Sequence, residues 1–359
     1  MIENEVAQMT RKERLIASIP SNIDALFITN TKNQFYLTGF DYTDGLVVVT
    51  RDKSYVFADF RYIEAAKNET SSEFEVVLLE GKRGELYKSY LNNYKTIGFE
   101  DASLTYEELK TYEKILPDFE FVPAGRIVEE LRTIKDENEL ETIIEAQRTA
   151  EKAFDHILGF ITPDKLETEV ALELEYTMRK LGAKCTSFDT IAVSGKASAL
   201  PHGVPRCVKL EKGFFTMDFG AFYKGYCSDM TRTVVIGKAD DEMKKVYNTV
   251  LEAQLAALDA FEIGKTGYEI DKIARDIIYG AGYEGCFGHG LGHGVGMDVH
   301  EAPSVNARGN TPFANGHVVT CEPGIYIEGK YGVRIEDMVV FSGGKAINIT
   351  KCPKNLIEL

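Results

Sequence analysis

The sequence predicts an α/β domain over residues 1–128 followed by an α+β domain over residues 129–359. Short β-branched and aromatic runs alternate with helical stretches in the first third. A charged connector then leads into a chain that repeats one order of elements about a hundred residues apart. At 359 residues the polypeptide is long for a single core, which independently favours two domains.

In the first domain, residues 25–29, 45–50 and 54–58 are strand-like runs bounded by Asn, Asp and Gly, and residues 74–79 and 96–99 continue the pattern. Helices are expected around residues 59–68, 82–93 and 105–116. Such alternation builds a sheet covered by helices. The run from Arg126 to Asp136 reads as a charged connector, with a helix starting near Asp136 or Glu137.

The second domain runs one programme twice. Leu140, Ile143, Ile144, Ala150, Phe154 and Ile157 form a helical stripe, and Val170, Leu174, Met178 and Leu181 a second one ended by Gly182. Met243, Val246, Tyr247, Val250 and Leu258 repeat the first, while Ile270, Ile273, Ala274, Ile277 and Ile278 repeat the second, stopped by Gly280 and Gly282. Each helix pair precedes a Gly- and His-containing connection and then a strand-turn-strand segment bearing two acids. Asp218 precedes Glu322 by 104 positions, close to the 100 between Gly182 and Gly282. Two copies facing each other about a pseudo-twofold axis would present their acids to one central cleft.

Period-two alternation puts Thr216 and Asp218 on one strand face and Asp229, Thr231 and Thr233 on one face of the next, joined by a turn at Lys224-Gly225. In the second copy Glu322 is expected to begin a strand, residues 329–332 to turn the chain, and Arg334, Glu336 and Met338 to alternate on the return strand. Between the hairpins lies Gly288-His289-Gly290-Leu291-Gly292-His293-Gly294-Val295-Gly296, followed by His300-Glu301. Four carboxylates and an imidazole are too much buried charge for a core unless cations sit among them. Asp218, Asp229, His293, Glu322 and Glu336 are therefore candidate ligands of two divalent ions, with Arg334 and Thr231 orienting the ligands from behind. Oxygen-rich sites suit manganese, expected first, with cobalt, zinc or iron as alternatives. Such a pair activates water and polarises a carbonyl, and amide hydrolysis is its natural use.

Composition excludes other classes. A net charge of −15 argues against a nucleic-acid partner. No apolar run approaches the roughly 18 residues of a membrane span, and the polar start Met1–Glu5 lacks a signal pattern, so a cytoplasmic protein is expected. Six scattered cysteines, without a C-x-x-C pair, read as buried free thiols, with Cys286 and Cys321 near the site and open to oxidation. The glycine-rich run has no phosphate-loop ending and reads as close backbone packing. His156 and His317 lack partners at useful spacing and are taken as structural.

The runs Met217-Asp218-Phe219-Gly220, Ser228 to Thr233, Gly292 to Gly296, His300-Glu301, Cys321-Glu322-Pro323-Gly324 and Val333 to Asp337 together resemble the pita-bread metallopeptidases, in their Xaa-Pro peptidase branch of aminopeptidase P and prolidase. The resemblance spans essentially the whole chain. It implies a creatinase-like N-terminal domain, helix pairs around a curved antiparallel sheet, a homodimer, and cleavage between a first residue and a following proline in peptides. It also implies that Asp229 and Glu336 contact both metals, that Glu322 carries a proton to the leaving nitrogen, that His300 and His289 steady the oxyanion, and that His202 approaches from the opposite wall. Some prolidases similar to this chain have arginine where it has Ser304, so an aminopeptidase P-like activity on longer peptides is preferred, with an Xaa-Pro dipeptidase as the alternative. A metal-free binding protein of the same fold would be expected to have lost ligands, and this chain keeps all five. Methionine aminopeptidase is disfavoured because an added N-terminal α/β domain is not its usual layout.

Overall fold

A computed structural model describes residues 9–359; the polar start Met1–Glu5 lies outside the described residues. The chain divides into two compact units, the first ending at Arg132 and the second running Thr133–Leu359.

The first unit is a six-stranded mixed sheet in the order Glu75–Leu78, Ser54–Ala58, Gly45–Thr50, Ala25–Ile28, Thr96–Phe99, Glu120–Pro123. The three central strands pair antiparallel and the outer ones parallel. Phe27, Val48, Phe57 and Ile97 from the sheet pack with Tyr87 and Leu91 from the helix Arg83–Leu91. Sequence reasoning missed the helices Arg11–Ser18 and Thr31–Thr38 and the edge strand Glu120–Pro123. The expected connector also contains a short helix, Ile127–Arg132, which buries Val128 and Arg132.

In the second unit the repeat is present down to its caps. The helices Glu137–Phe160 and Glu167–Lys180 return as Asp241–Ala260 and Gly267–Gly280. Asp136 and Asp240 cap the first helix of each pair by accepting from a backbone N–H three residues on. Both second helices end alike: Ala183 N–H donates to Met178 O and Tyr283 N–H to Ile278 O, across Gly182 and Gly282 at φ of 108° and 92°. That turn needs the left-handed backbone glycine adopts without penalty.

Each helix pair has its own core against its own hairpin. Phe154, Ile157, Val170 and Leu174 pack on Phe215, Met217, Phe219 and Val234, while Val246, Val250, Ile270 and Ala274 pack on Val319, Ile325, Val333 and Val339. At roughly 1.5–3 kcal/mol per fully buried large side chain, these contacts commit one face of each hairpin to the helices. The alternate residues are left for the seam between copies. There Thr216 and Thr233 hydroxyls lie 3.0 Å apart, Thr233 Oγ1 donates to Arg334 O at 2.9 Å, and Glu336 N–H donates to Thr231 O at 3.1 Å.

Antiparallel pairing holds for every named strand pair of this unit, but it is divided into several small sheets instead of running through one. Consequently the acids sit differently from expectation. Asp229 precedes the strand Met230–Ile236, Glu322 follows Val318–Cys321, and Glu336 lies between Tyr331–Arg334 and Asp337–Ser342. Glu322 does not begin a strand, and Glu336 is not part of an unbroken return strand. Val318–Cys321 and Asp337–Ser342 pair with each other, whereas Gly324–Ile327 and Tyr331–Arg334 form a separate ribbon. Glu322 and Glu336 occupy the two kinks where the chain changes sheets. The turn expected in the first hairpin is present, with Lys224 and Gly225 both at positive φ, as a type I′ turn requires. No helix among the described residues is long and apolar enough to cross a membrane.

Candidate metal centre

All five expected ligands line one cavity of about 630 Å³, and His202, His289, His300 and Arg334 line it too. Ligand atoms of Asp229, His293 and Glu336 lie within 4.8 Å of one another. His293 Nε2 is 3.4 Å from Glu322 Oε1 and 3.6 Å from Asp229 Oδ2. Asp218 is held to one side: its Oδ2 accepts from Arg334 Nη2 at 2.6 Å, while its buried Oδ1 has no hydrogen-bond partner among the described residues.

Close backbone approach places His293. A side chain at Gly292 would meet Thr320 O at 2.2 Å and one at Gly294 would meet Ala302 O at 2.4 Å, so three segments converge here only because these positions are glycine. His293 Nδ1 lies 3.1 Å from Gly294 O. A carbonyl can only accept, so Nδ1 carries the proton and Nε2 turns its lone pair toward two carboxylates. Desolvation first, then neighbouring His300, lowers the His293 pKa to about 4, which keeps the ring neutral. With these carboxyls ionised, lone pair faces lone pair, a repulsion that a cation between them relieves. The orphaned Asp218 Oδ1 makes the same demand, and the donor set of carboxylates with one imidazole fits borderline to hard divalent metals.

Behind the acids, Thr231 Oγ1 donates to Glu336 Oε2 at 2.7 Å and accepts from Arg334 Nε at 3.0 Å. Thr231 does not line the cavity, and it holds Glu336 from the buried side. Two hydroxyls were missed by sequence reasoning. Tyr326 accepts from Arg334 Nη1 at 2.8 Å and lies 2.9 Å from His289 Nε2, and Thr320 Oγ1 donates to Glu322 Oε1 at 3.4 Å. Tyr326 was legible only as an alternate position after Glu322 and Gly324, a weak signal for a ubiquitous strand residue. His289 is engaged at both nitrogens, by Gly290 O and Tyr326. In this arrangement it orients Tyr326 while also lining the cavity. His300 lies against His293, ring centroids 4.1 Å apart, with its pKa lowered by desolvation. His202 is exposed on the cavity wall.

His156 bonds Glu173 on a helix surface and His317 accepts from Ala314 N–H, both structural roles. The six cysteines are unpaired, but only Cys227, Cys321 and Cys352 are buried, while Cys207 is exposed. Desolvation raises the Cys321 thiol pKa well above its ordinary value, which argues against oxidation there.

Burial followed by mutual repulsion raises Asp229 and Glu336 well above ordinary carboxylates, and desolvation pushes Glu322 from 4.5 to about 8. A carboxyl with a raised folded pKa stabilises below its unfolded value and loses that contribution as pH rises through the folded one. His289 and His293, lowered to about 4, have the opposite sign: their contribution is complete above 6.5 and lost toward pH 4. Between pH 6.5 and 8 only the carboxylates are changing. Chelator-treated protein is accordingly expected to melt at progressively lower temperature across that window, and added divalent metal to abolish the decline. A flat melting profile without metal would contradict the electrostatics described.

Fold and site together define a metal-dependent peptidase. The chain belongs to Metallopeptidase family M24, whose sequence profile matches residues 141–342, and the Creatinase/Prolidase N-terminal domain profile matches residues 11–134. An Xaa-Pro dipeptidase from Bacillus anthracis superposes with a TM-score of 0.94 at 42% identity, covering 97% of this chain and 99% of its own. The Xaa-Pro dipeptidase of Pyrococcus furiosus is 38% identical, over 97% of this chain and 99% of its own. An X-Pro aminopeptidase structure from Thermotoga maritima has a TM-score of 0.90 at 38% identity, covering 97% of this chain and 100% of its own.

Proposed function

We propose that this protein is an Xaa-Pro dipeptidase, a prolidase, holding two divalent metals on Asp218, Asp229, His293, Glu322 and Glu336. The observation that carries the hydrolytic reading is the convergence of Asp229, His293 and Glu336, whose ligand atoms lie within 4.8 Å of one another, in a cavity that Asp218 and Glu322 also line. The relatives support the dipeptidase over the aminopeptidase preference drawn from Ser304, since dipeptidase names stand at 42% and 38% identity over nearly the full chain. Manganese is the first expectation for the ions, with cobalt, zinc or iron as alternatives. Bound ions supply an activated water and polarise the scissile carbonyl.

The protein's own groups do the rest. The nitrogen leaving from an Xaa-Pro bond carries no hydrogen, so it must gain a proton to depart. Glu322, which lines the cavity 3.4 Å from His293 Nε2, is the residue the resemblance assigns to carry that proton. His300 and His202, on the cavity wall, contact the substrate. Arg334 fixes Asp218 and Tyr326, and His289 fixes Tyr326 from the other side. A homodimer, on the strength of the resemblance, and a cytoplasmic location, on the strength of the acidic composition, complete the reading.

Metal-loaded enzyme assayed on Ala-Pro and Ala-Pro-Ala tests it. Cleavage of the dipeptide with little or no cleavage of the tripeptide is expected, and equal or better turnover of the tripeptide would restore the aminopeptidase reading.

A further inference from the structure

The loop that follows Leu200 carries His202 and buries little. Pro201, His202, Gly203, Val204 and Pro205 form one wall of the reaction cavity, yet His202 is exposed and Val204 is 76% exposed. What fixes this wall is a pin at each end. At the first, Pro201 O accepts from Arg334 Nη1 at 3.3 Å, which ties it to the arginine that holds Asp218. At the second, Arg206 forks onto Glu167, Nε donating to Oε2 at 2.9 Å and Nη2 to Oε1 at 2.6 Å, while its backbone N–H donates to Oε2 at 2.9 Å.

Glu167 opens the helix Glu167–Lys180, and its side chain is 0% exposed. Its Oε1 also accepts from the N–H and the hydroxyl of Ser194, both at 2.7 Å, at the end of the strand Ile191–Ser194 whose first residue lines the same cavity. Burial opposes the charge, but Arg206 and then Ser194 more than offset it and hold the carboxyl below its usual range, so the pair is ionised at neutral pH. The second copy shows that starting a helix here does not require such a pair. Its helix Gly267–Gly280 makes the matching contacts, Tyr268 N–H to Gly309 O where Thr168 N–H meets Arg206 O, and Thr266 bridging to Pro312 where Leu166 bridges to Lys209. In the place of Glu167 it has Gly267, where a side chain would meet Ser304 O at 2.1 Å. The second copy closes the junction backbone against backbone, whereas the copy that carries His202 closes it with an ion pair.

We infer that the Glu167–Arg206 pair positions His202 against the substrate, with Arg206 a positioning residue that acts through the imidazole and touches no reacting atom. The inference rests on the reading of the site as an Xaa-Pro peptidase in which His202 contacts the substrate. A forked guanidinium fixes both the distance and the angle of the chain that carries it, which a single ammonium does not, so lysine is a partial substitute.

Double-mutant cycles separate positioning from general support of the fold. Metal-loaded Arg206→Met, Arg206→Lys and the paired Glu167→Gln/Arg206→Met, which leaves no unmatched buried charge, are each compared with and without His202→Ala, on Ala-Pro and on Ala-Pro-Ala. With His202 present, kcat/KM should fall at least about tenfold in Arg206→Met and in the paired variant, and less in Arg206→Lys. In the His202→Ala background the same changes should cost less than about twofold, and every variant should keep the wild-type metal content. Equal losses in both backgrounds would make Arg206 a purely structural residue, and wild-type kcat/KM in Arg206→Met or in His202→Ala would leave it nothing to position; either result overturns the inference. A wild type that prefers the tripeptide would overturn the dipeptidase reading alone, because the cycle is then read on Ala-Pro-Ala. A metal-loaded wild type inactive on both peptides would overturn the peptidase reading and the inference with it.

Discussion

Replacing Glu336 with alanine is expected to abolish activity and, at the same time, to raise the stability of the metal-free protein. Glu336 is 1% exposed, bonded by Thr231, and its pKa is raised well above that of an ordinary carboxylate by burial and then by Glu322 and Asp218. Removing it relieves repulsion among the remaining acids when metal has been stripped away. Loss of even a residue that supports a ligand costs about 10- to 100-fold in affinity or activity, so loss of a shared ligand should exceed the upper figure. Elemental analysis should find fewer than two metals per chain, and melting curves should cross over: the variant above wild type after chelation, below it with metal present. Two retained metals with normal turnover would remove Glu336 from the ligand set.

The second large effect lies behind the site. Arg232, 1% exposed, spends its guanidinium on five acceptors: Asp337 Oδ1 at 2.8 Å and the carbonyls of Thr231, Glu336, Cys352 and Pro353 at 2.6–3.0 Å. Desolvation would push Asp337 up, but Arg232 and then Lys354 more than offset it and hold the carboxyl below its usual range. One side chain thus joins the first copy's strand, the kink bearing Glu336, and the C-terminal segment. Arg232→Met keeps much of the volume but leaves buried acceptors unpaired, and a loss of about 3–5 kcal/mol is expected. Lys354 and Asn348 still reach Asp337, so the damage should come mainly from the orphaned carbonyls. Chemical denaturation measures this directly; a loss below about 1 kcal/mol would show that the region re-forms its hydrogen bonds without the arginine.

Legibility in the sequence followed periodicity. The four long helices of the second unit carry stripes of Leu, Ile, Val and Met that survive any neighbourhood, and glycine stops mark the ends of the second helix of each pair. Thr31–Thr38, with polar residues through most of its length, and Glu120–Pro123, a four-residue edge strand with no fully buried side chain, have no comparable signature. Their structure depends on partners distant in the chain. Tyr326 and Arg232 escaped notice for a related reason, since both act through atoms contributed by segments remote in sequence.

Residue chemistry and spacing alone determined that this protein carries four acids and a histidine in two related copies, because clustering that much negative charge demands a cation whatever the surrounding backbone does. Only tertiary structure decided that Glu322 and Glu336 sit at kinks between sheets, that His293 shows its bare nitrogen to the carboxylates, and that His289 is occupied by Tyr326. Those outcomes depend on hydrogen bonds between segments roughly a hundred residues apart in places, and on glycines admitting backbones to near contact. Such distances are set by packing of the whole unit, and no local pattern encodes them.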